Sequence, residues 1–117
     1  MSSITLIHNP RCSKSRQTLA LLQEHGIVPN VLEYLKTPLD EESLRAIFSK
    51  LPQQQVIEMV RTKEAEFKDA GLSKTDSSDD ALFAAMAAYP KLIERPIVIN
   101  DDKARIGRPP EAVLEII

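Results

Sequence analysis

The chain has 117 residues and a single cysteine, Cys12, the strongest nucleophile available to it at neutral pH. Cys12 sits in His8-Asn9-Pro10-Arg11-Cys12-Ser13-Lys14-Ser15-Arg16, between a short apolar run and a stretch with helical spacing. A thiol at a strand-to-helix turn faces the unpaired N–H groups of the helix start. The helix dipole favours anions at the same end. Both effects favour thiolate over thiol and lower a cysteine pKa. The same geometry can hold an oxyanion, and His8, Arg11, Lys14 and Arg16 add positive or protonatable groups. A free cysteine can also serve as small buried packing. The turn position and the basic surroundings favour reactivity.

Cys12-Ser13-Lys14-Ser15 is a C-x-x-S, with serine where dithiol oxidoreductases carry a second cysteine. It predicts monothiol chemistry, in which Cys12 attacks and a separate thiol resolves. Ser15 is a candidate hydrogen-bond donor to the thiolate, while Ser13 occupies the first turn of the helix. Arginines supply permanently charged, bidentate anion contacts. Two of the seven are placed suggestively: Arg95 precedes Pro96 at a strand start, and Arg108 precedes Pro109 at the start of the last helix. One cysteine with His8 and His25 cannot make a usual closed zinc site, so no metal is expected. Three glycines form no phosphate-binding loop.

The elements that must position these groups follow from the apolar pattern. Ile4-Thr5-Leu6-Ile7 is short and β-branched and predicts a buried strand, closed by Asn9-Pro10. A helix is expected within Ser13–His25, with Ser15, Leu19 and Leu22 on one face, broadened by Thr18 and Leu21, and Gly26 as its left-handed stop. Val31-Leu32-Glu33-Tyr34-Leu35 reads as a second strand, so the first third is a parallel βαβ unit with a right-handed crossover.

Thr37-Pro38-Leu39-Asp40 reads as a helix start with Thr37 as the cap. Leu44, Ile47, Phe48 and Leu51 form the helix's apolar stripe, and Arg45 falls on its solvated face. Pro52 ends it and opens a short helix through Val56, Ile57 and Val60. Thr62–Ala70 is helix or loop, and Gly71 to Asp80 is a loop with a helix cap. Leu82, Phe83, Met86 and Tyr89 define another helix, stopped by Pro90. Ile97–Asn100, the turn Asp101-Asp102 and Lys103–Ile106 predict a tight hairpin. Pro109-Pro110-Glu111 opens a last helix carrying Val113, Leu114 and Ile117.

The order β-α-β, several helices, then β-β-α is the thioredoxin plan. The expected fold is α/β: a mixed four-stranded sheet in one domain spanning 1–117, the first strand central, with a helical insertion at about 38–90. In that plan the Arg95–Pro96 bond is cis and faces the active loop. Length allows one buried core, and 43% apolar with 27% charged residues fits a globular protein. A net charge of −2 gives no bulk attraction to nucleic acid or anionic membranes. The N-terminus lacks the pattern of a signal peptide, and no stretch approaches the ~20 apolar residues of a membrane span. A lone thiol suits the reducing cytoplasm.

The segment His8–Arg16 resembles the H-N-P-x-C-x-x-S-R motif of glutaredoxin-coupled arsenate reductases, the thioredoxin-like ArsC type. Val60-Arg61 with Phe67 and Gly71-Leu72 resembles that family's central arginine region. Arg95-Pro96-Ile97-Val98 and Gly107-Arg108-Pro109-Pro110-Glu111 resemble its two later arginine motifs. The resemblance covers nearly the whole chain. It implies that Cys12 is the nucleophile, that Arg61, Arg95 and Arg108 bind arsenate or a similar oxyanion, and that His8 and Ser15 tune the thiolate. It also implies glutathione as co-substrate, glutaredoxin as partner, no tightly bound cofactor and a monomer. Ser13-Lys14 replaces the small residues often found after the family's cysteine. A thiol transferase acting on another small substrate would use the same residues. A related branch of redox-responsive regulators binds RNA polymerase and typically carries a C-x-x-C switch, which Ser15 removes here.

Overall fold

The computed structural model describes residues 4–75 and 77–117. Met1, Ser2 and Ser3 of the N-terminal reading, and Asp76 of the expected loop, lie outside the described residues. Strand β1 (Ile4–His8) leads into helix α1 (Ser13–Glu24), which returns to β2 (Asn30–Glu33). Three helices follow: α2 (Glu41–Lys50), α3 (Ala65–Asp69) and α4 (Asp79–Ala88). Short 3-10 turns stand at Val56–Met59 and Pro90–Leu92. The hairpin β3 (Ile97–Asn100) and β4 (Lys103–Ile106) completes the sheet, and a 3-10 helix at Pro110–Ile116 ends the described chain.

The sheet order is β2-β1-β3-β4, with β1 central as expected. β1 pairs parallel with β2, setting His8 beside Glu33, and antiparallel with β3, setting Leu6 beside Val98 and Ile7 beside Ile97. Successive strand residues face opposite sides, and the two cores divide accordingly. Leu6 and Val98 pack with Leu22 of α1 and with Val113 and Ile116. Ile7 and Ile97 pack under the inserted helices, against Leu44, Met59, Phe83 and Met86. Asp101 takes a left-handed φ of 60° in the hairpin turn, a conformation that Asp tolerates better than most residues.

Several boundaries differ from the sequence reading. β2 stops at Glu33, because Tyr34 to Thr37 turn back on it, with the Lys36 and Thr37 amides donating to the Glu33 carbonyl. That turn takes Thr37 out of the capping role. Asp40 caps α2 instead, accepting from the Ser43 amide at 2.7 Å. On α1 the buried face is Ser15, Thr18 and Leu22, while Leu19 and Leu21 are half-buried. The last helix is a 3-10 helix rather than an α-helix, held to the hairpin by the Asn100 carboxamide donating to Ile116 O at 2.5 Å and by Arg105–Glu115 at 2.9 Å. Arg45 is exposed as expected, and it also pairs with Asp80 at 2.6 Å and stacks on Phe83 at 4.6 Å, joining α2 to α4.

The insertion is tied to the segment that precedes β3 by a short backbone ladder. Val60 bridges Ile93 antiparallel, the Arg61 amide donates to Leu92 O at 2.7 Å, and the Glu94 amide donates to Met59 O at 2.8 Å. This short ladder sets Arg61 alongside the segment that carries Arg95. No helix among the described residues is long and apolar enough to cross a membrane.

Candidate active site

Cys12 is the N-cap of α1, with extended backbone (φ −91°, ψ 126°). The turn before it is closed by the Cys12 amide donating to Asn9 O at 3.0 Å and by the Arg11 amide donating to Asn9 Oδ1 at 3.0 Å. The thiol is half-buried. Burial pushes its pKa up, but the Ser15 amide, the Arg95 guanidinium and the Lys14 amide together hold it below the ordinary thiol value. The stabilisers are therefore the first-turn N–H groups of α1 and one arginine from the start of β3.

Arg108 supplies a second guanidinium. Its Nη2 lies 3.6 Å from Cys12 Sγ, while its Nε donates to the Arg95 carbonyl at 2.8 Å. The backbone of one arginine thus orients the side chain of the other. Both Arg95–Pro96 and Arg108–Pro109 are cis, the first as the fold plan led us to expect. Gly107 makes the approach possible: its amide donates to Pro96 O at 2.8 Å. A Cβ there would stand 2.7 Å from Thr18 Oγ1 and 2.8 Å from Pro96 Cγ.

Arg61 joins this pair through carboxylates. It lies 3.2 Å from Glu64 and 3.9 Å from Glu94, and Glu94 also lies 3.5 Å from Arg108. Glu94 therefore stands between two of the three predicted arginines and offsets part of their charge. Val60, Arg61, Thr62, Lys63, Glu94 and Arg108 line a cleft of about 380 Å³. A larger hollow of about 470 Å³ beside Pro52–Gln55 and Glu58 holds no nucleophile or cationic side chain.

His8 and Ser15 sit beneath the loop. Both are buried, and His8 Nδ1 shares a 2.7 Å hydrogen bond with Ser15 Oγ. That oxygen also accepts from the Asn9 amide at 3.0 Å. The Ser15 side chain is thus engaged with His8 and the loop, and it is the Ser15 backbone that faces the thiol. Burial lowers the His8 pKa, opposed by Glu33 and assisted by Arg16, which favours the neutral imidazole. Arg16 donates to Pro10 O at 3.0 Å and so braces the loop from outside, and Lys14 is exposed.

Three residues escaped sequence reasoning: Glu94, Glu64 and Tyr34. Tyr34 directly follows β2, at the carboxyl end of a strand parallel to β1. Ligands of open α/β sheets gather at that end, so its position carried a signal that the strand assignment concealed.

A half-buried cysteine stands on a helix start, flanked by arginines gathered from distant parts of a thioredoxin-like frame. Residues 7–116 match the model of the ArsC family, and the chain belongs to that family. An arsenate reductase structure from Vibrio cholerae superposes with a TM-score of 0.95 at 52% identity, covering 99% of this chain and 98% of that one. The arsenate reductase of Haemophilus influenzae is 50% identical over 115 residues, 98% of this chain and 99% of its own. The Escherichia coli protein YfgD, which carries no assigned function, is 50% identical over 114 residues, 97% of this chain and 96% of its own.

Proposed function

We propose that the protein reduces arsenate to arsenite with electrons from glutathione and glutaredoxin, using Cys12 as nucleophile and Arg61, Arg95 and Arg108 to hold the oxyanion. The observation that carries this reading is the Arg108 guanidinium at 3.6 Å from the Cys12 sulfur, at an amide-lined helix start. An arginine this close favours the thiolate and can at the same time engage an anion beside it. Relatives of near-identical length that bear the name arsenate reductase support the choice of oxyanion.

In the proposed cycle arsenate binds among the arginines and the Cys12 thiolate attacks arsenic. An arsenic–oxygen bond breaks, and the oxygen leaves as water after protonation. A glutathione thiol displaces a second oxygen, again released as water. The glutaredoxin thiolate then attacks the glutathione sulfur. The electron pair of that sulfur–arsenic bond stays on arsenic, which passes from the +5 to the +3 state, and the two sulfurs leave as a mixed disulfide. Hydrolysis of the Cys12–arsenic bond releases arsenite and restores the thiol. The lone cysteine fits this scheme, since the second electron-donating sulfur must come from outside the chain. Lys63, in the cleft beside Arg61 and Arg108, offers a cationic partner to a carboxylate of glutathione. A monomer in the reducing cytoplasm suits the scheme, because thiol donors are plentiful there.

The test is arsenite formation with purified protein, glutathione and glutaredoxin. Turnover is expected with all components and is lost when either glutathione or glutaredoxin is omitted. Turnover that continues without glutaredoxin, or with thioredoxin alone, contradicts the proposed coupling.

A further inference from the structure

The Tyr34 side chain is fully buried, and its hydroxyl meets no hydrogen-bond partner among the described residues. A buried tyrosine hydroxyl normally finds one, because an unpaired polar group away from water costs stability. The Asn9 carboxamide acts on this hydroxyl but does not meet it at hydrogen-bonding geometry. The charged groups that act on it are Arg95, Arg61 and Cys12, which are the members of the candidate site. One of them shares its condition: the Nε of Arg95 is also buried without a partner. Two donors left unpaired in one site call for the same missing group, an acceptor oxygen.

We propose that Tyr34 is a fourth oxyanion ligand, its buried hydroxyl donating to an oxygen of the tetrahedral anion that Arg95 also holds. The inference rests on the oxyanion reading above and adds a neutral donor to its three cationic ones. Burial raises the phenol pKa against the opposing pull of Arg95, so the hydroxyl keeps its proton and can donate. A neutral donor discriminates by geometry: it rewards an oxygen at one place rather than negative charge in general. Tyr34 directly follows β2, which runs parallel to β1, so it leaves the sheet at the same end as the Cys12 loop.

The experiment compares wild type with Tyr34→Phe, which removes the hydroxyl and keeps the ring. Iodoacetamide modification of Cys12 is followed in the full chain while arsenate, or phosphate as a non-reducible tetrahedral anion, is titrated in. Thermal unfolding of both proteins is measured without anion. The expected result is wild-type protection by either anion, about a tenfold higher midpoint in Tyr34→Phe, and an anion-free Tm equal to or above wild type. An unchanged midpoint overturns the role of Tyr34 alone. A lower anion-free Tm, or failure to fold, also overturns it, because the hydroxyl would then serve the fold. If neither anion protects wild type, the oxyanion reading itself falls and Tyr34 with it.

Discussion

Arg108 and Cys12, 96 residues apart in sequence, place a guanidinium nitrogen 3.6 Å from a thiol sulfur. The contact is built by backbone: the Arg95 carbonyl fixes the Arg108 Nε at 2.8 Å, and the hairpin pairing of β3 with β4 brings the two segments together. The cation beside the thiol is therefore a product of sheet closure.

Thiol reactivity should follow. Alkylation of Cys12 against pH is expected to show a midpoint below that of an ordinary thiol, and Arg95→Ala or Arg108→Ala should move it upward. The folded pKa lies below the unfolded one. The stabilisation from the thiolate is thus fully present above the ordinary thiol pKa and is lost as pH falls through the folded value. Urea unfolding of wild type against Cys12→Ser under reducing conditions should show wild type gaining relative stability as pH rises across that window. A flat or narrowing difference contradicts the assignment.

The arginines should separate by role. Arg108→Ala removes a charge-assisted contact of about 1.5–3 kcal/mol and should weaken arsenate protection of Cys12 tenfold or more. Arg45→Ala should leave that protection unchanged but lower stability by about 0.5–1 kcal/mol, since Arg45 ties Asp80 and Phe83 across two helices. Equal effects of the two substitutions on protection would contradict this division.

Gly107 is a packing requirement of the site. Gly107→Ala would press a methyl group against Thr18 and Pro96 at less than van der Waals distance. We expect a loss of about 1–3 kcal/mol, read as a lower urea midpoint, together with slower Cys12 alkylation as the Arg95 and Arg108 segments shift. An unchanged midpoint would show that the neighbours yield freely.

What could be read from sequence was what local chemistry decides. β-branched and apolar runs marked the first three strands, the Asp101-Asp102 turn marked the fourth, Gly26 marked the end of α1, and Cys12 stood between a strand signal and a helix signal. The errors lie where tertiary partners choose between local options. Thr37 and Asp40 are both competent caps three residues apart, and the turn on the Glu33 carbonyl selects Asp40. Arg45 is exposed, as its helix face predicts, but its partners Asp80 and Phe83 arrive from another helix and were not legible. Arg61 could be tied to the site only by family resemblance, since its registration depends on the Val60–Ile93 bridge. Tyr34 looked like a strand residue because its isolation as an unpaired hydroxyl exists only in the folded core.

The central claim is that one sulfur, Cys12, carries arsenate reduction. Arsenite released per mole of protein, with glutathione and glutaredoxin in excess, tests it in wild type and in Cys12→Ser with matched far-UV circular dichroism. Many turnovers by wild type and none by the folded serine variant are the predicted result. Arsenite formation by Cys12→Ser at the wild-type rate would contradict it.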